Sequence, residues 1–454
     1  MNGVGRRIQT AQTKNFDPRI GFAYRLDELT VIRGGFGIFH APPADLDNAS
    51  AGFGVTTTSR PALPNGVTPQ FNLSNPFPQG LIQPTGSSLG LDTLLGQNIS
   101  GVPRNEKISY SEQWSLDIQR QLPGNFVVTL GYAGNHSLAL YVPFNYNQLP
   151  DADLALGSKL LAQAPNPFYG VITDQTSTLS APTVQYGQLL RPHPQFLNMT
   201  ALSAIGQSHY HALQLTVEHR FSSGLALLFA YTHSKMIDDV GDYLENTFSP
   251  FQPQDNNCLK CDRSISYQDL PDVIRLSGQY ELPFGHGKRF ANQGLLGKVI
   301  GGFTVGAFFT FDDGLPVKVT SPNFSNSFGG GSGMRPDATG LPTNLPGGPQ
   351  MVTGGLYFNP AAFSETPSFQ FGDAPRYLNS VRAPGTFDWD TLLSRRFALR
   401  EPMSLDFRAE FFNVFNNVQF AGPNTDISSS SFGHIYLNQV NTPRQIQASL
   451  RFRF

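Results

Sequence analysis

The sequence predicts an all-β protein, and three observations support this prediction. The chain has 454 residues, of which 39% are apolar and 12% aromatic but only 14% charged. Because about a quarter of the residues in a soluble globular domain are charged, we expect part of this surface to face an apolar phase. The 45 glycines and 35 prolines indicate frequent turns. The third observation is an alternation of apolar and polar side chains with a period of two, which is the period of a β-strand.

The alternation recurs in eleven segments, and residues 107–122 show it best. Trp114, Leu116 and Ile118 share one face of this segment, whereas Ser115 and Asp117 share the other. Soluble strands average five or six residues, but a tilted strand that crosses a bilayer needs about nine to eleven. The segment is therefore long enough to span a membrane. The other ten segments are residues 19–26, 30–39, 126–134, 209–221, 225–235, 273–282, 303–311, 386–397, 403–415 and 443–454.

The connections between these segments alternate between short and long. The short connections are residues 27–29, 123–125, 222–224 and 399–402, and residues 283–302 form a connection of intermediate length. The long connections are residues 41–106, 142–208, 237–272, 312–385 and 416–442. Transmembrane barrels have short periplasmic turns and long extracellular loops, a separation that is not expected of sandwiches or propellers. The sequence predicts a transmembrane antiparallel β-barrel with about eleven strands and long extracellular loops.

Several other classes of protein are disfavoured. No apolar run approaches the eighteen or so residues of a membrane helix, and a net charge of −2 gives no basic field for nucleic acid. Gly34, Gly35 and Gly37 are better explained as small strand residues than as a nucleotide-binding loop, because no Lys-Ser/Thr pair follows them. We find no G-x-S-x-G motif and no persuasive Ser/His/Asp set, so we expect neither an enzyme nor a bound cofactor.

The last strand points to a particular membrane. Apolar and polar side chains alternate along it. The apolar residues are Ile446, Ala448, Leu450, Phe452 and Phe454, and the polar residues are Gln447, Ser449, Arg451 and Arg453. A strand with an aromatic carboxy-terminus resembles the closing strand of bacterial outer-membrane barrels, whose terminal Phe is read by the barrel-assembly machinery. This resemblance implies the outer membrane of a Gram-negative bacterium, with its lipid and that machinery as partners.

Four further segments carry a more specific resemblance. They are NFDPRIGFAY at 15–24, IRGGFGIF at 32–39, YELPFG at 280–285 and RAEFFNVFN at 408–416. Together they resemble the carboxy-terminal barrel of Oar-like TonB-dependent outer-membrane proteins, and the resemblance covers most of the chain. It implies a receptor or transporter for an unknown extracellular ligand, with energy-coupled uptake or surface interaction.

The resemblance also implies a larger protein. Members of that family have a signal peptide, a carboxypeptidase-regulatory-like β-sandwich and a plug before a 22-strand barrel, and the TonB complex contacts the amino-terminal part. Residues 1–454 do not include these segments, and eleven strands is an odd number, so residues 1–454 are expected to be the carboxy-terminal half of such a barrel. A passive structural or adhesive barrel is the alternative, and a barrel enzyme is the least favoured.

Two sets of polar residues are candidate sites in the loops. Cys258 and Cys261 are the only cysteines, and a short-range disulfide is favoured over a redox or zinc site, which would need further ligands. Four nearby acids are expected to be solvated rather than to bind calcium, because their spacing lacks the ligand pattern of a calcium loop: Asp238, Asp239, Asp242 and Glu245. Ligand recognition is expected in residues 61–101 and 321–355, although loop composition does not identify a substrate.

Three histidines lie on one predicted strand, and they are His209, His211 and His219. A membrane-interface position is favoured for them, because the amphipathic imidazole suits an interface. A metal site would need ligands that converge from other strands.

Overall fold

The computed structural model describes residues 10–41, 52–55, 57, 74–77, 80–101, 103–174, 176–241, 252–321, 328 and 334–454. One antiparallel sheet dominates this part of the chain. Its eleven principal strands are β1 Arg19–Arg25, β2 Thr30–His40, β3 Tyr110–Leu122, β4 Phe126–Asn145, β5 Met199–Ser222, β6 Leu225–Asp238, β7 Asp272–Glu281, β8 Phe303–Asp312, β9 Thr386–Ala398, β10 Ser404–Phe412 and β11 Gln445–Arg453.

The strands lie side by side in the order of the chain. Two short strands join the sheet at its margins: Ile99–Gly101 pairs in parallel with β5, and Ser264–Ile265 pairs with β6. The eleven strands correspond to the eleven predicted segments. The predicted all-β class is therefore confirmed.

Two strands are longer than the sequence predicts. β4 and β5 contain 20 and 24 residues, because their pairing continues beyond Gly134 as far as Asn145. The pairing shifts register between Leu138 and Leu140, across Ala139, whose φ is 54°, and again between Leu140 and Tyr141. A residue inserted into one strand breaks the two-residue alternation, so the pattern ends before the strand does.

Cross-strand register separates two faces of the sheet. One row of directly opposed residues crosses nine strands and is apolar throughout: Tyr24, Ile32, Ile118, Leu130, Leu215, Tyr231, Ile274, Phe311 and Phe387. The adjacent row points the other way and is mostly polar: Arg25, Val31, Gln119, Thr129, Thr216, Ala230, Arg275, Thr310 and Asp388. We call the sides marked by these rows the apolar face and the polar face.

The sheet is open in the described part of the chain. β1 pairs with β2 and β11 pairs with β10, but β1 and β11 do not pair with each other. Every residue of both edge strands is exposed. The described part of the chain therefore forms an open sheet of antiparallel strands with two unpaired edges.

The two ends of the sheet differ in their connections. Short turns join successive strands at one end, which we call the short-turn end; Ser223 and Gly224, for example, both have positive φ, as a tight hairpin requires. The long loops meet at the opposite, long-loop end. They contain small two-stranded ribbons that pair Gln163–Pro165 with Thr183–Gln185, Asp337–Ala338 with Phe363–Ser364, and Gly355–Leu356 with His434–Ile435.

Helices are short in this structure. In the described ranges, the α-helices are α1 Tyr186–Leu189 in a long loop and α2 Gly294–Ile300 at the short-turn end. The 3-10 turns are Gly90–Asp92, Asp151–Leu161, Thr178–Ser180, Leu259–Asp262 and Pro360–Ala362. Within the described ranges, no helix has the length and apolar character needed to cross a membrane.

Candidate functional site

The long loops fold into one packed layer over the long-loop end of the sheet. We call this layer the cap and define it as the described residues within 146–198, 252–271, 313–385 and 413–444. Its largest apolar cluster joins the last two loops, with the fully buried Phe358 ring edge-on to Phe363 and Phe432. A second cluster joins Leu149 and Leu160 to Phe369. The cap therefore has its own hydrophobic core.

A short segment at residues 252–263, here the hub segment, links the loops of the cap. On one side, the backbone N–H and side-chain amide of Asn256 donate to Gln148 Oε1 over 2.7 and 2.8 Å. On the other side, the side-chain amide of Gln254 donates to the carbonyl oxygen of Gly372, and its Oε1 accepts from the N–H of Arg335. These groups are buried, so each hydrogen bond satisfies a polar atom that would otherwise be costly to bury.

Cys258 and Cys261 are joined by a disulfide in the hub segment. The bond joins Cys258, which precedes the 3-10 turn Leu259–Asp262, to Cys261 within it, and the N–H of Cys261 donates to the carbonyl oxygen of Cys258. This turn presents two acceptors to one guanidinium: Arg335 Nη1 lies 2.9 Å from the carbonyl oxygen of Cys261 and 3.2 Å from Asp262 Oδ1. The oxidation state of this pair in the cell remains a prediction.

Two buried Asp–Arg pairs and one partly buried pair connect the loops of the cap to one another and to the sheet. They are Asp238 with Arg376, Asp262 with Arg335, and Asp269 with Arg382. Arg376 also donates to the backbone carbonyl of Val240, just beyond the end of β6. A buried charge is tolerated only when it is paired and hydrogen-bonded, so these contacts fix the position of residues 335–382 over the sheet.

The predicted solvation of the loop acids is wrong for two of the four residues. Asp238 is buried against Arg376, and Asp239 is buried with its Oδ1 accepting from the N–H of Gln207 over 2.7 Å. Their arginine and amide partners lie far away in the chain or on another strand, and local spacing gave no signal of them. Asp242 and Glu245 lie outside the described residues.

Burial dominates the electrostatics of the cap. It raises the pKa of the Asp239, Asp255 and Asp262 carboxyls, in the last case against the lowering effect of Arg335. Burial lowers the pKa of the Lys318 ammonium and raises that of Tyr357 to about 12. The Tyr357 hydroxyl donates to the carbonyl oxygen of Arg382 over 2.6 Å. These shifts are typical of groups held away from water.

The polar face of the sheet has its own charged groups below the cap. Arg275 Nη2 lies 2.8 Å from Asp312 Oδ2 on neighbouring strands. Nearer the short-turn end, Asp406 accepts from Arg396 over 2.7 Å and lies 2.6 Å from Arg453 Nε. A wall lined with paired charges is suited to water or a polar occupant, not to lipid.

The histidines do not gather into one site. His219 lies near the short-turn end, where its Nδ1 is 3.0 Å from the carbonyl oxygen of Leu225. His209 and His211 lie near the other end of β5; His209 stacks on His136 with ring centroids 4.1 Å apart, and Tyr132 Oη is 2.7 Å from His211 Nδ1. Across the described ranges, no three His, Cys, Asp or Glu side chains are placed to hold a metal ion.

The residues of the predicted assembly signal share the apolar face of β11. Ile446 lies opposite Phe411, Leu450 opposite Phe407, and Phe452 opposite Leu405, with Ala448 opposite Ala409. Phe454 follows the strand, is 92% exposed and stacks on Phe452 with centroids 6.0 Å apart. Recognition of these residues by an assembly machinery remains a prediction.

The glycines of β2 have a packing explanation. A Cβ on Gly34 would lie 2.6 Å from the Phe22 ring, and one on Gly37 would lie 2.8 Å from the Phe39 ring. Both glycines sit inside a continuous strand, paired on both sides. Small residues leave room here for neighbouring aromatic rings.

The match to a protein-family model defines the class. Residues 1–447 match the model of the outer membrane beta barrel domain, and the chain belongs to this family. It is a protein of the outer membrane, and its apolar face is the side suited to lipid. None of the curated proteins matches the chain.

Solved structures with similar folds include three outer-membrane proteins. The outer membrane transporter YddB from Escherichia coli is 9% identical, with 96% of this chain and 40% of that chain covered and a TM-score of 0.45. The siderophore receptor PirA from Acinetobacter baumannii is 11% identical over 96% and 40%, with a TM-score of 0.42. The ferripyoverdine receptor of Pseudomonas aeruginosa is 12% identical over 96% and 32%, with a TM-score of 0.38. The chain therefore spans two fifths or less of the length of these proteins.

Proposed function

We propose that this chain forms the carboxy-terminal half of the barrel of an Oar-like TonB-dependent outer-membrane receptor. In this proposal, the short-turn end lies in the periplasm, the cap faces the outside, and the polar face lines the lumen. The observation that carries the proposal is the contrast between the two ends of the sheet, with tight turns at one end and a packed, cross-linked cap at the other.

Strand parity supports a barrel larger than this chain. In an antiparallel sheet of eleven strands, the first and the last run in the same direction, so closing β1 on β11 would require a parallel pair. Single-chain bacterial outer-membrane barrels have even numbers of antiparallel strands. Open edges are also untenable in lipid, because no water is present to satisfy their N–H and C=O groups. Additional strands would satisfy both edges, and a 22-strand barrel would provide eleven more.

The proposed role is non-enzymatic. The cap would contact an extracellular ligand, and the lumen behind it would contain the plug that is expected in the amino-terminal part of the protein. The TonB complex would act through that part. The resemblance of residues 15–24, 32–39, 280–285 and 408–416 to Oar-like proteins supports the specific family, and loop composition leaves the ligand class open.

A passive structural or adhesive barrel is the second candidate. It is favoured by one observation: Asp–Arg pairs with little exposure to water, together with an apolar core, hold the cap in a single packing, as a fixed contact surface requires. Such a barrel would have no need for energy coupling.

A binding experiment separates the two candidates. The purified periplasmic domain of TonB is immobilised, and the intact outer-membrane protein that contains this chain is passed over it in detergent. Saturable binding that is lost after removal of the segment preceding the barrel is the expected result for a TonB-dependent receptor. Absence of binding by a folded, heat-modifiable protein would favour the passive barrel.

A further inference from the structure

The connection between β7 and β8 differs from every other turn at the short-turn end. The remaining turns there link their strands with two to five residues, whereas residues 282–302 separate β7 from β8 and contain α2, Gly294–Ile300. The sequence predicts a connection of intermediate length here but gives no helix. The structure thus places a small folded element where a barrel needs only a hairpin.

Close backbone contacts hold this element in one conformation. Gly285, with φ 103°, approaches Gly301 so closely that an added Cβ would lie 2.6 Å from the Gly301 Cα. The N–H of Phe290 donates to the carbonyl oxygen of Pro283 over 2.9 Å, and the N–H of Gly285 donates to that of Phe290 over 3.0 Å. These contacts give the connection one defined conformation.

An arginine fixes the helix to the apolar side of the sheet. Arg395 in β9 lies opposite Phe303 in β8 and Phe407 in β10, in a row of the apolar face. Its Nη1 donates to the carbonyl oxygen of Val299 over 2.5 Å, and its Nη2 donates to that of Lys298 over 2.6 Å. Its guanidinium also stacks over the Phe397 ring at 4.1 Å. The carboxy-terminal end of α2 is thus held at the rim of the apolar face.

The helix exposes an aliphatic side that nothing in the described chain covers. Leu295, Leu296 and Val299 are 78%, 63% and 59% exposed. Their spacing of one, three and four residues places them on one side of the helix. Phe290, which precedes α2, is also half-exposed. Exposed apolar side chains grouped on one side of a helix are typical of an interaction site.

The connection that contains α2 carries three basic residues and no acidic residue. Lys288, Arg289 and Lys298 lie in the same connection, and Glu281 is the acid that pairs with Lys288, over 2.9 Å. Arg289 also lies over the Phe290 ring at 5.3 Å. Basic side chains that flank an exposed apolar side are typical of helices that lie in a membrane interface.

We propose that α2 and Phe290 form a membrane anchor that inserts its aliphatic side into the leaflet at the short-turn end, where the cations contact anionic phospholipid headgroups. The position of α2 supports lipid as the occupant, because the helix adjoins the apolar face of the sheet, which is the face suited to lipid. Charge complementarity supports an anionic headgroup. Only the assignment to the periplasmic leaflet rests on the proposed orientation of the barrel.

The test measures which phase touches the helix. A nitroxide is attached at Leu296→Cys in the intact protein, reconstituted in vesicles of phosphatidylethanolamine and phosphatidylglycerol. The two native cysteines are disulfide-bonded in the structure, and in that state the introduced thiol is the reactive one in this chain. Arg400→Cys, at an exposed position in the turn between β9 and β10, is the matched control at the same end. Collision rates with oxygen, which partitions into lipid, and with a water-soluble nickel chelate are compared.

The proposal predicts an oxygen-to-nickel ratio several-fold higher at residue 296 than at residue 400, and the same excess at Val299→Cys. Equal ratios at residues 296 and 400 would overturn it. Exclusion of both reagents would indicate a covering protein, and spin–spin broadening would indicate a second copy; either result would also overturn it. The result does not depend on which side of the membrane the cap faces. The membrane anchor can therefore be disproved without disproving the proposed receptor role.

Discussion

Arg376 and Asp238 form a buried ion pair across 138 residues of chain, and through it the longest described loop is attached to the end of β6. Both side chains are almost completely inaccessible to water. The pair therefore couples the packing of the cap to the sheet below it. Its geometry leads to the first prediction.

Arg376→Ala should loosen the cap while leaving the sheet intact. The substitution leaves the Asp238 carboxylate buried without its partner, which costs about 3–5 kcal/mol. Hydrogen exchange should become faster in residues 334–382 and unchanged in β3 and β4. Arg400→Ala, at an exposed turn, is the control and should change neither. Unchanged exchange in residues 334–382 of the Arg376 variant would contradict the role given to this pair.

Loss of the disulfide should weaken the same layer at the hub segment. Cys261→Ser opens the bond that closes the turn, and this turn presents two acceptors to Arg335. The chain-entropy argument for so short a loop gives a loss of about 2 kcal/mol. Limited proteolysis should then cut within residues 252–263, whereas the oxidised wild type resists. Treating the wild type with reductant should reproduce the effect. Protease resistance of both Cys261→Ser and the reduced wild type would refute the prediction.

The stability of the cap should depend on pH through its buried acids. Burial raises the folded-state pKa of Asp255 above the ordinary value of 3.8, so this group favours folding most below pH 3.8. That contribution is lost as the pH rises through the raised pKa. Asp255→Asn removes the titrating group and keeps an oxygen to accept from Gln148. Protease resistance of the cap, measured at a series of pH values above 3.8, should fall less in Asp255→Asn than in wild type. Identical pH profiles would count against this account.

The two faces of the sheet should respond differently to charge. Leu215→Arg places a cation on the apolar face, at an expected cost of about 2–4 kcal/mol near the bilayer midplane. Thr216→Arg, one residue along the same strand, places it on the polar face and should cost much less. The free energy of unfolding of the intact protein in lipid vesicles, measured by urea titration, provides the comparison. Equal losses for the two variants would mean that the faces are assigned incorrectly.

The sequence predicted the strands well because their signal is local. A period of two over ten residues is visible without knowing any partner, as in β3, where Leu116 and Ser115 already mark opposite faces. The same logic failed at Ala139, where an irregularity interrupts the alternation and hides the outer parts of β4 and β5. Strand existence was thus predictable, but the full length of the two longest strands was not.

The cap was not predictable for a different physical reason. Asp238 and Arg376 are brought together only by the tertiary fold, and neither has a local pattern that distinguishes it from a solvated surface charge. α2 was also missed, because seven helical residues give too short a period to recognise in a glycine-rich connection. Long-range pairing and short elements are therefore visible only in the structure.

We propose that these eleven strands are part of a larger barrel. The most direct measurement is electrophoretic heat-modifiability: residues 1–454, exported alone behind a signal sequence, are compared with the same chain preceded by eleven further strands. The account predicts a heat-modifiable, protease-resistant monomer only for the longer protein, because β1 and β11 would otherwise remain unpaired edges in lipid. A stable, heat-modifiable monomer formed by residues 1–454 alone would contradict it.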